Sequence, residues 1–176
     1  LRLDTNRLVE LADGCVEVLP TPKTSHQKVV QFLSNLLLAY VSGRNLGIVL
    51  FAPLRVRLRT GKFCEPDIVF LLAEHAEPAR EDYWEGADLV MEVVSPDDPD
   101  RDWVTKRADY AEARIPEYWI IDPRTERITI FKLQGNAYAV HGEYGAEQVA
   151  QSAVLAGFTA PVTAVFAAAK KRVEGP

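Results

Sequence analysis

Cysteine is nearly missing from this chain. Its 176 residues include two, Cys15 and Cys64, too few for a disulfide framework. Neither stands in a CxxC or Cys/His cluster, so zinc-finger and thioredoxin-type chemistry lack ligands. Long apolar runs are missing as well. No stretch approaches the roughly 18 unbroken apolar residues of a membrane span, and the first segment, Leu1 to Glu10, has no apolar region of signal-peptide length. A soluble, cytoplasmic protein with no membrane partner is expected. The chain also lacks a basic excess. Its net charge is −5, which argues against a passive nucleic-acid coating protein, because phosphate attraction dominates non-specific binding. Any nucleic-acid contact needs a local basic surface or a metal. Repeats, low-complexity tracts and Gly/Ser linkers are absent, so a single domain spanning residues 1–176 is expected.

What is present suits a globular fold. Hydrophobic residues make up 48% of the chain and charged residues 26%, and a chain of this length buries roughly 70% of the surface its unfolded form exposes. Apolar alternation from Arg7 to Leu19 on both sides of Asp13-Gly14 reads as a hairpin. Thr24-Ser25-His26-Gln27 resembles a capping box with Thr24 as N-cap. Val29, Val30, Phe32, Leu33, Leu36, Leu37, Tyr40 and Val41 follow at helical spacing, with Gly43 as the stop. From Ile48 to Arg59 the period becomes two, and Arg55, Arg57 and Arg59 share one strand face. Gly61-Lys62 turns the chain into a strand over Asp67 to Leu72. A polar connection with Pro78 leads to a strand over Asp88 to Val94. Arg101–Arg114 reads as a helix ended by Pro116, with apolar contacts from Val104, Ala108, Ala111 and Ile115. Strands follow at Tyr118–Asp122, Arg127–Leu133 and, more weakly, Tyr138–His141, before a last helix over Val162–Lys171. Helices flanking a mixed sheet give an α/β (α+β) class.

Two carboxylates stand where strands rarely carry charge, since desolvating one costs several kcal/mol unless it is paired or binds a metal. Asp67 opens the run Ile68-Val69-Phe70-Leu71-Leu72, and Glu92 sits inside Leu89-Val90-Met91-Glu92-Val93-Val94. Asp67 also reads as a strand-entry residue, and Glu92 as the partner of a core arginine. Lys106 follows in the next helix. If the two strands are neighbours, both carboxylates and the lysine converge at one edge of the sheet. Two carboxylates with a backbone carbonyl suit Mg²⁺, and a lysine there can orient a water or offset phosphate charge.

The ordered series Pro66-Asp67, Glu92-Val93-Val94-Ser95-Pro96, Lys106 with Tyr110, and Pro116-Glu117-Tyr118-Trp119-Ile120-Ile121-Asp122-Pro123 resembles the Uma-type restriction endonucleases of the PD-(D/E)XK nuclease superfamily. The likeness extends to Glu10-Leu11-Ala12-Asp13-Gly14 and His26 upstream and to Leu155-Ala156-Gly157-Phe158 downstream. It implies a restriction-endonuclease-like core and phosphodiester hydrolysis, in DNA before RNA. It implies that Asp67 and Glu92, with the Val93 carbonyl, bind Mg²⁺ (or Mn²⁺), that Lys106 completes the catalytic set, and that a homodimer forms. The superfamily's usual lysine lies two residues beyond the acid, where this chain has Val94. The resemblance therefore assigns the role to Lys106 on the following helix. The alternative is a non-catalytic interaction module that retains the nuclease fold.

Other residues carry less. Arg55, Arg57 and Arg59 form a row able to track a phosphate backbone, or a solvated strand face. Asp97, Asp98, Asp100 and Asp102 lack the EF-hand spacing and read as a solvated loop with charge at a helix start. His26 is an accessory candidate. Ser25 beside it makes no triad, since adjacency in the chain does not set the geometry of one.

Overall fold

The structure, a computed structural model, describes residues 9–12, 15–18, 21–76 and 81–170. Strands β1 (Val9–Ala12) and β2 (Cys15–Val18) pair antiparallel as the expected hairpin; its Asp13-Gly14 turn, like Pro78, lies outside the described residues. Helix α1 (Thr24–Ser42) ends just before Gly43 and buries Val29, Val30, Leu33, Leu37 and Val41 along one stripe. Its N-cap is Lys23, with no side-chain capping bond, so Thr24 lies inside the first turn and the capping box does not form.

The expected long strand from Ile48 to Arg59 is two strands in two sheets. β3 (Gly47–Phe51) ends before Pro53, which has no N–H for a ladder, and β4 (Val56–Arg59) starts after it. β5 (Lys62–Cys64) folds back on β4 across Gly61, whose φ of +79° suits the turn. β6 (Ile68–Leu72), β7 (Trp84–Glu85) and β8 (Leu89–Val93) follow. The next helical stretch has two parts, a π-helical segment over Arg101–Lys106 and then α2 (Arg107–Glu112). β9 (Glu117–Asp122), β10 (Arg127–Gln134) and β11 (Ala137–Tyr144) make a meander. Short β12 (Val149–Gln151) and β13 (Thr159–Pro161) pair before α3 (Val162–Lys170).

The class is α+β. The central sheet has six strands in the order β11-β10-β9-β8-β6-β3, with β8 and β9 parallel and the other neighbours antiparallel. A second sheet runs β2-β1-β5-β4-β7. β6, β8 and β9 are buried along almost their whole length, because both faces of the central sheet are covered. On one face Ile68, Phe70, Leu89, Met91, Val93 and Trp119 pack with the apolar stripes of α1 and α3. On the other, Val69, Val90, Val94, Tyr118 and Ile120 pack with Tyr110 of α2 and with Val56, Cys64 and Trp84 of the second sheet. Among the described residues no helix is long and apolar enough to cross a membrane.

Candidate functional site

The strands carrying Asp67 and Glu92 are neighbours, in an antiparallel register that pairs Ile68 with Met91 and Val69 with Val90. One step further sets Asp67 opposite Glu92. Alternation puts both on the face of Val69, Val90 and Val94, where α2 packs, since residues two apart on a strand share a face. The two ends are laced together. The Val93 amide donates to Asp67 Oδ2 at 2.8 Å, and the Asp67 amide lies 3.4 Å from Glu92 Oε2.

Lys106 enters from the helical stretch beyond. Its Nζ lies 2.9 Å from Glu92 Oε2 and 3.4 Å from Asp102 Oδ1. The wide π turn delivers Asp102 and Lys106 to the inner side of the helix, and Tyr110 one turn on donates to Glu92 Oε1 at 2.5 Å. The inner face is thus Asp102, Lys106 and Tyr110; of the four expected apolar contacts Ala111 and, just beyond the helix, Ile115 are buried, while Val104 is 57% exposed and Ala108 also faces out. The face is divided: Asp102 and Lys106 meet the carboxylates, while Tyr110 and Ile115 pack on the apolar part of the sheet. The same region holds Val94, 1% exposed and packed among Tyr110 and Tyr118. The ammonium reaches Glu92 from the helix, and the position two residues beyond the acid is left to the core.

His26, in the first turn of α1, closes the other side, with Nε2 3.1 Å from Asp67 Oδ2. Together these groups line a cleft of about 320 Å³ with Glu65, Ser95, Asp98 and Arg101 at its walls. Burial, with the charges of Asp67 and Asp102 beside it, pushes the Glu92 carboxyl up to about 8 even though Lys106 works to lower it. Burial likewise raises the Asp102 carboxyl against the pull of Lys106. For His26, burial works to lower the imidazole, but the hydrogen bond and charge of Asp67, with help from the Val93 backbone, outweigh it and hold the ring above its ordinary value. Five carboxylates, Glu65, Asp67, Glu92, Asp98 and Asp102, thus share the lining with His26, Arg101 and Lys106.

The family model Uma2, described as "Putative restriction endonuclease", matches residues 1–163. The chain belongs to the Uma2 family. A solved structure of a "putative nuclease belonging to DUF820" from Anabaena variabilis is similar to it at 14% identity, covering 96% of this chain and 94% of that one with a TM-score of 0.78. At that identity the likeness is one of fold. No curated protein matches. Family and fold together support a nuclease at the level of the Uma2 family.

Within this Uma2 chain, the structure brings Asp67, Glu92, the Val93 backbone, Lys106 and His26 to one cleft. Arg55, Arg57 and Arg59 lie outside its lining and each faces a carboxylate, Glu65 at 3.9 Å, Glu85 at 3.2 Å and Glu112 at 3.7 Å. Asp102 corrects the sequence reading most. It does supply charge in the first turn of the helical stretch, but it is 5% exposed and paired with Lys106 instead of solvated. A signal for it existed in the spacing Asp102, Lys106, Tyr110, which puts all three on one helical face. The buried Glu117 is used elsewhere: it accepts from the Ala153 and Val154 amides, the Ser152 hydroxyl and the Trp119 indole, tying the segment before β13 to β9.

Proposed function

We propose that this chain is a divalent-metal-dependent nuclease of the PD-(D/E)XK type that hydrolyses phosphodiester bonds in DNA, with residues 1–176 as a single domain acting as a homodimer. The observation that carries the reading is the approach of Lys106 Nζ to Glu92 on the same face as Asp67, in the lining of one cleft. Restriction-endonuclease-like families generally use a divalent metal, and the donor set is consistent with one. Asp67, Glu92 and the Val93 carbonyl are all oxygen donors, which suits Mg²⁺ or Mn²⁺. Mg²⁺ is held by one or two carboxylates while it keeps waters and takes phosphate oxygens. Among the described residues no three or more His, Cys, Asp or Glu side chains form a metal cage, so two carboxylates completed by water and substrate match better than a closed site. The raised Glu92 carboxyl fits the same idea, because a cation relieves the crowding that a proton otherwise relieves.

When bound, the cation lowers the pKa of a coordinated water and polarises the phosphate. Asp67 and Glu92 fix its position. Lys106 donates to the attacking water or to a non-bridging oxygen and offsets the charge that develops as the P–O bond to the leaving oxygen breaks. His26, with Nε2 3.1 Å from Asp67 Oδ2, orients that carboxylate from the α1 side of the cleft. Calorimetric titration with Mg²⁺ and Mn²⁺ tests the assignment. Wild type should bind, and Asp67→Ala should lose the binding heat while remaining folded. Absence of binding by wild type would favour the non-catalytic module.

A further inference from the structure

The geometry points to a subsite beside the cleft that takes an unpaired nucleobase of single-stranded nucleic acid. The inference rests on the nuclease reading and names its substrate class. A groove of about 350 Å³ is lined by residues of α1 and by Phe51. Gln27, Gln31 and Asn35 stand four residues apart, so their amides form one stripe on an exposed helix face. Phe51, the last residue of the edge strand β3, is 59% exposed, although an aromatic ring of its size gains most by burial. Ser34 lines the same groove and is 7% exposed, and its hydroxyl has no hydrogen-bond partner. A buried hydroxyl left unsatisfied is costly.

The groove joins the cleft. Gln27 lines both, and Ala52 and Pro53, next to Phe51 in the chain, line the cleft itself. A strand whose phosphate sits at Asp67 and Glu92 can therefore lay a neighbouring base on Phe51, with its polar edge toward the amides. An aromatic platform with amide donors and acceptors is how unpaired bases are held, and it is sequence-tolerant because every base has a π-face. Tracking a duplex by its phosphates asks for a row of cations. Here Lys28 is the one cationic side chain in the groove lining, and Arg55, Arg57 and Arg59, which line neither groove nor cleft, face Glu65, Glu85 and Glu112. The exposed ring and the amide stripe favour a base over a backbone.

Binding in EDTA tests the subsite apart from catalysis. Single-stranded oligonucleotides carrying 2-aminopurine, and the same strands in duplex, are titrated against wild type, Phe51→Ala, Phe51→Tyr and Gln31→Ala, reading anisotropy and fluorescence quenching. Wild type should quench the probe and bind single strands roughly tenfold or more tightly than duplex. Phe51→Ala should lose about tenfold of that affinity together with the quenching, as for removal of one stacked base, and Phe51→Tyr should keep both. Equal affinity for duplex, or a Phe51→Ala variant that binds like wild type, overturns the subsite. So does a Phe51→Ala effect confined to self-association in sedimentation, which would make this face a contact between copies of the chain. Cleavage with Mg²⁺ is scored separately. Loss of cleavage by Asp67→Ala alongside a null result at Phe51 would sink the base subsite and leave the metal site standing.

Discussion

Replacing Glu92 by glutamine should make the metal-free protein more stable, and by an amount that grows with pH. Glu92 is 2% exposed and its carboxyl is raised from 4.5 to about 8 by burial and by Asp67 and Asp102. At about 1.4 kcal/mol per pH unit, that interval corresponds to roughly 5 kcal/mol once the group is ionised in both folded and unfolded states. The sign follows from proton counting. Between pH 4.5 and about 8 the folded protein keeps a proton that the unfolded chain releases, so wild-type stability falls as pH rises through this window and levels off above it. Glutamine carries no charge at any pH, but it gives up the ion pair with Lys106, which removes part of the gain. A net gain of about 1–3 kcal/mol is expected at pH 9 and almost none at pH 5. Urea unfolding of both proteins in EDTA at pH 5, 7 and 9 reads it directly. The raised His26 imidazole adds a slope of the same direction, but to both proteins, so it cancels in the difference. A Glu92→Gln variant less stable than wild type at pH 9, or a gap that does not change with pH, would refute the reasoning and make Glu92 a structural ion-pair partner.

Lys106→Ala should lower stability by about 3–5 kcal/mol near pH 8, because it leaves Glu92 and Asp102 buried without their cation; thermal melts should show Glu92→Gln restoring much of the loss. The exposed lysine of an ordinary helix would have cost almost nothing. His26→Gln should be less stable than wild type by about 1–2 kcal/mol at pH 5.5, and the deficit should vanish as pH rises past the folded-state value. A raised imidazole contributes stability below its unfolded value and loses it above the folded one. Glu117→Ala should cost about 3–5 kcal/mol in urea unfolding, since it strands the half-buried amides of Ala153 and Val154 and the buried Trp119 indole.

Much of this arrangement was legible from residue order. The apolar runs after Asp67 and around Glu92 announce strands buried on both faces, and a carboxylate inside such a run must answer for its desolvation. The resemblance supplied Lys106, and the structure seats its ammonium on Glu92. What stayed hidden depends on three-dimensional neighbours. Ile48 to Leu54 is one apolar run and alternation begins only at Leu54, so Pro53 was the one local mark of the division between two sheets. The two-residue β7 exists because β4 offers it an edge, which no local propensity encodes. Asp102 reads as one of four aspartates in a polar stretch, and the π turn that swings it inward leaves no mark in composition. The capping box failed for a smaller reason: the helix begins one residue earlier than the motif implies, so Thr24 has nothing to cap.

The central claim is that Asp67, Glu92 and Lys106 form a metal-dependent phosphodiesterase site, and cleavage itself tests it most directly. Purified protein would be incubated with plasmid, single-stranded DNA and RNA in Mg²⁺, Mn²⁺ or EDTA, beside Asp67→Ala and the doubly substituted Lys106→Met/Glu92→Gln chain. The account predicts cleavage of DNA by wild type in Mg²⁺ or Mn²⁺, none in EDTA, and a rate lowered by at least ~10²-fold in both variants. Cleavage that persists in EDTA, or that survives in Asp67→Ala at the wild-type rate, would contradict it.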